Sequence, residues 1–159
     1  MKTLVTYSSQ TQNTKKLAEA IFASMAGDKE MKPLAESGNV EGYDFIAVGF
    51  WLKAGQPDPA TQEFLPKLSG KKVFFFATHG AAPGSDHVKK AQAKAVELAG
   101  GAEVVGAFSC QGEVAAQFLE MAAAKNSPPP WFGDAPAAKG HPDHKDIAVL
   151  KEMIAGLAW

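Results

Sequence analysis

Two segments of this chain are apolar at almost every position, and this pattern most limits the folds that it can adopt. They are residues 43–49 (YDFIAVG) and 72–77 (KVFFFA). A strand with one face in water alternates apolar and polar residues, whereas a strand covered on both faces does not alternate. The two runs therefore predict central strands of a parallel sheet that lies between two layers of helices.

The rest of the chain alternates strand-like and helical segments. Further strands are predicted at residues 4–7, 31–34 and 103–109, and helical periodicity at 17–25, 61–68, 88–98, 114–121 and 143–157. The second strand contains Pro33, which lacks the N–H that a central strand needs, so we expect this strand at an edge. The pattern predicts an α/β fold with a doubly wound, five-stranded parallel sheet of order 2-1-3-4-5 in a three-layer sandwich.

Length and composition exclude several classes of protein. At 159 residues the chain suits a single domain, 1–159, with residues 127–140 as a proline-rich surface excursion. A net charge of -1 and the lack of arginine argue against nucleic-acid binding. No apolar run reaches the roughly 20 residues of a membrane span. One cysteine and no apolar signal segment near the N-terminus predict a cytoplasmic protein.

The first predicted strand stops at a cluster of polar side chains, and a helical pattern begins directly after it. The cluster includes four hydroxyl residues, Ser8, Ser9, Thr11 and Thr14. A strand that enters a helix through such a loop brings free N–H groups and the positive end of the helix dipole together. The loop lacks the glycine motifs of triphosphate and dinucleotide sites. It predicts a site for one phosphate group held by neutral donors, and the alternative is an ordinary turn that caps the helix.

Three further polar loops follow predicted strands, at residues 50–55, 78–83 and 109–112. In a doubly wound sheet these loops meet beyond the carboxyl ends of the strands, where ligands bind. Trp51 offers an aromatic face, and glycines let the backbone approach a ring closely. The loops together suit a flat, phosphorylated heterocycle. The candidate cofactor-binding residues are Ser8, Ser9, Gln10, Thr11, Gln12, Asn13, Thr14, Phe50, Trp51, Leu52, Lys53, Gly55, Thr78, His79, Gly80, Ala81, Cys110, Gln111 and Gly112.

These motifs resemble those of the flavodoxin-like family over residues 1–111. Residues 9–14 (SQTQNT) look like the family's [ST]-x-T-G-x-T phosphate signature, and residues 49–51 and 78–83 resemble its two ring-binding loops. Cys110-Gln111-Gly112 and His141-Pro142 are similar to features of small flavodoxin-like proteins of anaerobic bacteria. The resemblance implies FMN as the cofactor, electron transfer between redox partner proteins as the function, and the same strand order.

Two departures from the family pattern keep other functions open. Gln12 stands where the family usually has glycine, and a left-handed backbone there would cost glutamine about 1 kcal/mol or more. The loop at 78–83 also lacks the acidic-then-tyrosine pattern that stacks an aromatic ring on the outer flavin face, so we expect that face to be open. The alternatives are an FMN reductase that acts on a small organic acceptor such as a quinone, and a non-redox binding module of the same fold.

Several residues allow both a structural and a functional interpretation. Lys53 is either a solvated charge or a cation that stabilises a negative flavin ring. His79 is a loop histidine or a proton donor to the ring, whereas Cys110 is most simply a small buried residue. The group at residues 141–146 predicts a helix start with a partial capping box rather than a metal site. Residues 131–132 are either a docking or lid element or rings that cover the core.

Overall fold

The fold is an open parallel sheet with helices on both faces. A computed structural model describes residues 1–129 and 131–157. The strands are β1 Lys2–Tyr7, β2 Asp28–Pro33, β3 Phe45–Lys53, β4 Gln56–Pro57, β5 Lys72–His79 and β6 Glu103–Gln111. The helices are α1 Asn13–Ser24, α2 Pro59–Phe64, α3 Asp86–Leu98, α4 Ala116–Ala123 and α5 His144–Ala155, and short 3₁₀ helices cover Leu34–Glu36, Leu65–Leu68 and Phe132–Ala138.

The five long strands pair in parallel in the order β2-β1-β3-β5-β6. This is the predicted order, since β5 and β6 are the fourth and fifth long strands of the chain. Pro33 ends β2 at the sheet edge, where its missing N–H interrupts no central ladder. The carboxyl ends of β1, β3, β5 and β6 consequently lie together at one edge, as the site prediction requires.

A hairpin at the end of β3 was not predicted. The two-residue strand β4 pairs antiparallel with Leu52 and Lys53. The turn between the strands consists of Ala54 and Gly55, whose φ angles of 53° and 76° are both left-handed. Such a turn matches the twist of paired antiparallel strands. It brings the segment after Trp51 back along the strand end instead of leaving it as an open loop.

Each face of the sheet has its own apolar core, which explains the uninterrupted apolar runs. In β5, Phe74 and Phe76 pack with α1 and α5, whereas Phe75 packs with α2 and α3 on the other face. All three rings are at most 2% exposed. Because alternate residues of the strand face different helix layers, the strand has no polar face.

Side chains cap the starts of two helices, and the second of them confirms the predicted capping box. The Ser85 hydroxyl accepts a hydrogen bond from the Val88 N–H at the start of α3. Asp143 and Asp146 form a capping box at the start of α5. His141 Nδ1 lies 2.6 Å from Asp146 Oδ2, and this contact raises the pKa of His141. The three side chains at residues 141, 143 and 146 thus form part of the helix start.

Within residues 1–129 and 131–157, no helix combines the length and the apolar character needed to cross a membrane. The proline-rich stretch at 127–140, called the strap below, runs between α4 and α5 and contains the last 3₁₀ helix. Pro130, which the prediction included in this excursion, lies outside the described residues.

Candidate functional site

A cavity of about 320 Å³ opens at the carboxyl ends of β3, β5 and β6, beside the loop that follows β1. Residues from all four predicted loops line it, so the structure brings them together as expected. The predicted site residues in its wall are Ser9, Gln10, Thr11, Asn13, Thr14, Trp51, Leu52, Lys53, Thr78, His79, Gly80 and Gly112.

A second cavity, of about 420 Å³, lies on the other side of the β1 loop, between residues 33–38 and α2. Ser8 borders this second cavity, and Ser9 borders both. The second cavity includes neither Trp51 nor the ends of β5 and β6. The first cavity is therefore the one that joins the predicted phosphate loop to the predicted ring-binding loops.

In the loop after β1, some hydroxyl groups bond to other side chains that the structure describes, and one does not. Ser8 Oγ donates to Asp58 Oδ1 at 2.8 Å, and Thr14 Oγ1 lies 2.9 Å from Thr78 Oγ1. Ser9 Oγ is buried and has no hydrogen-bond partner among the residues that the structure describes. Since an unpaired buried hydroxyl costs free energy, Ser9 is the member of the cluster that a ligand would satisfy.

The N-terminus of α1 adds backbone donors at the same place. The first intrahelical bond runs from Lys16 N to Gln12 O at 3.0 Å, so the preceding N–H groups of the helix have no acceptor within it. The N-cap residue Gln12 makes no side-chain capping bond. The first turn contains no acidic side chain and includes Lys15 and Lys16. These features favour an anion at the helix end.

Gln12 adopts the left-handed conformation that the family signature assigns to glycine, with φ 70° and ψ -1°. We predict that Gln12→Gly raises the free energy of unfolding by about 0.5–1 kcal/mol, because the strain of a left-handed glutamine exceeds the extra entropy of an unfolded glycine. Chemical denaturation would measure the change. Gln10→Gly is the matched control, since Gln10 is exposed in the same loop and does not have a positive φ. Equal stabilities of the two variants would contradict the prediction.

Asn13 connects the β1 loop to the segment after β6. Its Nδ2 donates to Thr11 Oγ1 and to Glu113 O, each at 3.0 Å. A Cβ added to Gly112 would lie 2.8 Å from Asn13 Nδ2, so only glycine allows this close approach. The Asn13 amide thus holds two cavity walls together, although the sequence predicted it as a ligand contact.

Two tryptophans from distant segments line the cavity. Trp51 comes from β3, and Trp131 comes from the strap. Trp131 also packs beside Gly80, where an added Cβ would lie 3.5 Å from Trp131 Cε3 and 2.9 Å from Val114 Cγ2. Trp131 thus belongs to the cavity wall, and its two predicted roles, a docking or lid element and a ring that covers the core, stay predictions.

The buried ring of His79 lies at the end of β5. Its Nδ1 is 2.8 Å from Ala81 O, whereas Nε2 is buried without a partner in the described part of the chain. Burial lowers the pKa of His79, and the neighbouring His87 lowers it further although the hydrogen bond to Ala81 opposes the shift. The ring is therefore neutral at pH 7.

Seven predicted site residues lie outside the cavity wall, namely Ser8, Gln12, Phe50, Gly55, Ala81, Cys110 and Gln111. Phe50 is fully buried in the core, and Cys110 is the small buried residue that the sequence suggested. Burial raises the pKa of the Cys110 thiol. Gln111 Nε2 donates to the carbonyls of Gly80 and Asp134, both at 3.3 Å, and so ties the strap to the loop after β5. Direct contact of these seven residues with a cofactor stays a prediction.

The helical face predicted at Val114, Phe118 and Met121 is wrong in one respect, because α4 begins only at Ala116. All three side chains line the cavity, and Met121 is 62% exposed. The sequence did not indicate this wall, since an apolar helical spacing looks the same whether the helix faces a core or a cavity.

A parallel, doubly wound sheet with a polar loop after β1 and aromatic rings at the same edge is the architecture of α/β proteins that bind ligands beyond the strand ends. The sequence profile of the flavodoxin domain matches residues 4–155, so the chain belongs to the flavodoxin domain family. The flavodoxin-like domain-containing protein BilS of Clostridioides difficile (strain CD3) is 30% identical over 164 residues, which cover 92% of this chain and 90% of that protein.

Solved structures show the same fold. Oxidised flavodoxin 2 from Bacillus cereus is 18% identical and superposes with a TM-score of 0.63 over 98% of this chain and 96% of that one. A flavoprotein from Lactobacillus acidophilus NCFM, solved in complex with FMN, is 23% identical with a TM-score of 0.56 over 68% of this chain and 92% of that one. The chain is thus flavodoxin-like in fold as well as in sequence.

Proposed function

We propose that this protein binds FMN in the cavity at the strand ends and carries electrons between redox partner proteins. The observation that carries the proposal is the buried Ser9 hydroxyl beside the N-terminus of α1, which has no partner among the described residues and belongs to a cavity that Trp51 also lines. Family membership and the FMN complex of the Lactobacillus acidophilus flavoprotein support it. The reducing cytoplasm is the proposed location.

The residues of the cavity suit the chemical groups of FMN. The Ser9 and Thr11 hydroxyls and the first N–H groups of α1 are neutral donors for a phosphate. Trp51 offers an apolar ring for contact with a flat heterocycle. Lys53 is exposed at the cavity edge, where its charge stabilises negative charge inside the cavity. When bound, FMN supplies a ring that accepts and releases electrons.

Visible absorption tests the proposal directly. We expect the purified protein, incubated with FMN and freed of excess ligand, to retain a flavin band that stepwise reduction bleaches and air restores. FMN at the same concentration, passed through the desalting step without protein, controls for carry-over. A colourless protein would contradict the proposal and favour the non-redox binding module instead.

The second candidate is an FMN reductase, which one feature of the cavity favours. Phe118 and the exposed Met121 form an apolar wall, and such a wall can hold a small organic acceptor such as a quinone. Steady-state assays with a nicotinamide donor, a quinone and no partner protein separate the candidates. Turnover under these conditions would favour the reductase, and its absence from a flavin-loaded protein favours the carrier.

A further inference from the structure

His79 lines the cavity, and one of its ring nitrogens has no hydrogen-bond partner in the part of the chain that the structure describes. The residue is 5% exposed, and its Nδ1 lies 2.8 Å from the carbonyl oxygen of Ala81. Because a carbonyl only accepts hydrogen bonds, Nδ1 carries the proton of the neutral ring. The lone pair then resides on Nε2, which is buried and without a partner within the described residues. A ligand that fills the cavity must supply a donor to this atom or leave it unsatisfied.

We propose that neutral His79 accepts a hydrogen bond from an N–H or O–H group of the ligand in this cavity, so that protonation of His79 weakens ligand binding. The inference rests on the proposed FMN site, since FMN offers donors of both kinds in its ring imide and its ribityl chain. A protonated Nε2 becomes a donor itself and then faces another donor at a buried position.

The surroundings of His79 define the proton linkage. His87 of α3 is the titratable neighbour that disfavours its charge. The other charged groups that line the cavity are Lys53 from β3, Glu113 after β6 and Lys125 after α4. Asp134 of the strap accepts from Ala82 N beyond the same loop. Burial and His87 hold the pKa of His79 below 6.5, and by reciprocity a donor on Nε2 lowers it further.

The test compares FMN and riboflavin binding by wild-type protein and His79→Phe, using quenching of flavin fluorescence between about pH 5 and pH 8. The FMN phosphate itself titrates near pH 6, so riboflavin isolates the contribution of the protein. At pH 7.5 we expect His79→Phe to bind both ligands roughly tenfold more weakly. As the pH falls through the lowered pKa of His79, wild-type affinity for riboflavin falls, whereas that of His79→Phe stays constant.

Three further measurements keep the test decisive if His79→Phe folds poorly. His79→Gln retains an acceptor that does not titrate, so it binds riboflavin without the acid loss. His87→Gln removes one cause of the lowered His79 pKa, so it keeps the acid loss of affinity and moves that loss to higher pH. NMR titration of the His79 ring shows its pKa falling when ligand is added.

Different failures have different meanings. Wild-type protein that binds neither ligand at pH 7.5 overturns the proposed function and this inference with it. Wild-type protein that binds FMN, with a pH profile that His79→Phe and His79→Gln both reproduce, overturns this inference alone. If His87→Gln loses the pH dependence, the titrating group is His87, and this inference alone is overturned.

Discussion

Ser9→Asp is expected to weaken FMN binding by at least a hundredfold and to change riboflavin binding by no more than about threefold. Ser9 Oγ is buried at the end of the cavity beside α1, where the proposed phosphate lies. Two unit charges about 4 Å apart repel by about 4 kcal/mol near a protein surface, and a phosphate ester carries between one and two charges at neutral pH. A hundredfold loss corresponds to about 2.7 kcal/mol. Fluorescence titration with both ligands measures the two affinities.

Two matched variants control this result. Ser9→Ala removes the hydroxyl without adding charge, so we expect only a several-fold loss of FMN affinity. Gln117→Glu adds a negative charge on the exposed surface of α4, outside the cavity wall, and should change neither affinity. An equal loss for both ligands would indicate that the loop itself is disrupted. Unchanged FMN affinity would show that the phosphate does not bind at the β1 loop, and would contradict the proposed site.

The sheet was predictable because its signals are local. The continuous apolar runs of β3 and β5 require cover on both faces, and Pro33 excludes β2 from the interior of the sheet. Together these two facts fix the architecture and the edge at which the loops meet. The position of the cavity follows from the strand order, and it lies where the sequence placed it.

The roles of single residues in the site were less predictable, because they depend on contacts between distant segments. The Ser8 hydroxyl binds Asp58, 50 residues away, and Thr14 pairs with Thr78, 64 residues away. The Ser9 hydroxyl makes neither kind of contact within residues 1–129 and 131–157. Four hydroxyls in one loop look equivalent in a sequence. Only the packing of the loop against β5 and α2 distinguishes a hydroxyl that bonds within the protein from one that can donate to a ligand.

Gly49→Ala is expected to lower the free energy of unfolding by about 3 kcal/mol or more. Gly49 lies in β3 opposite Phe76 of β5, and an added Cβ would lie 2.1 Å from Phe76 Cε2 and 2.4 Å from its Cζ. Phe76 is fully buried and cannot move without repacking the core against α1 and α5. Chemical denaturation of wild-type and variant protein measures the loss.

The same substitution should also weaken FMN binding, because Gly49 O accepts from Ser8 N at 2.9 Å where the β1 loop begins. Gly42→Ala is the control for an added methyl group and should be nearly neutral, since no described residue beyond its two chain neighbours has an atom within 4 Å of the new Cβ. Phe76→Leu removes the ring atoms that collide with the new Cβ. The double variant should therefore be more stable than the sum of the two single losses predicts, by about 1 kcal/mol or more. Additive losses would show that the Gly49 methyl group is accommodated without contact with Phe76, and would contradict this account of the strand pair.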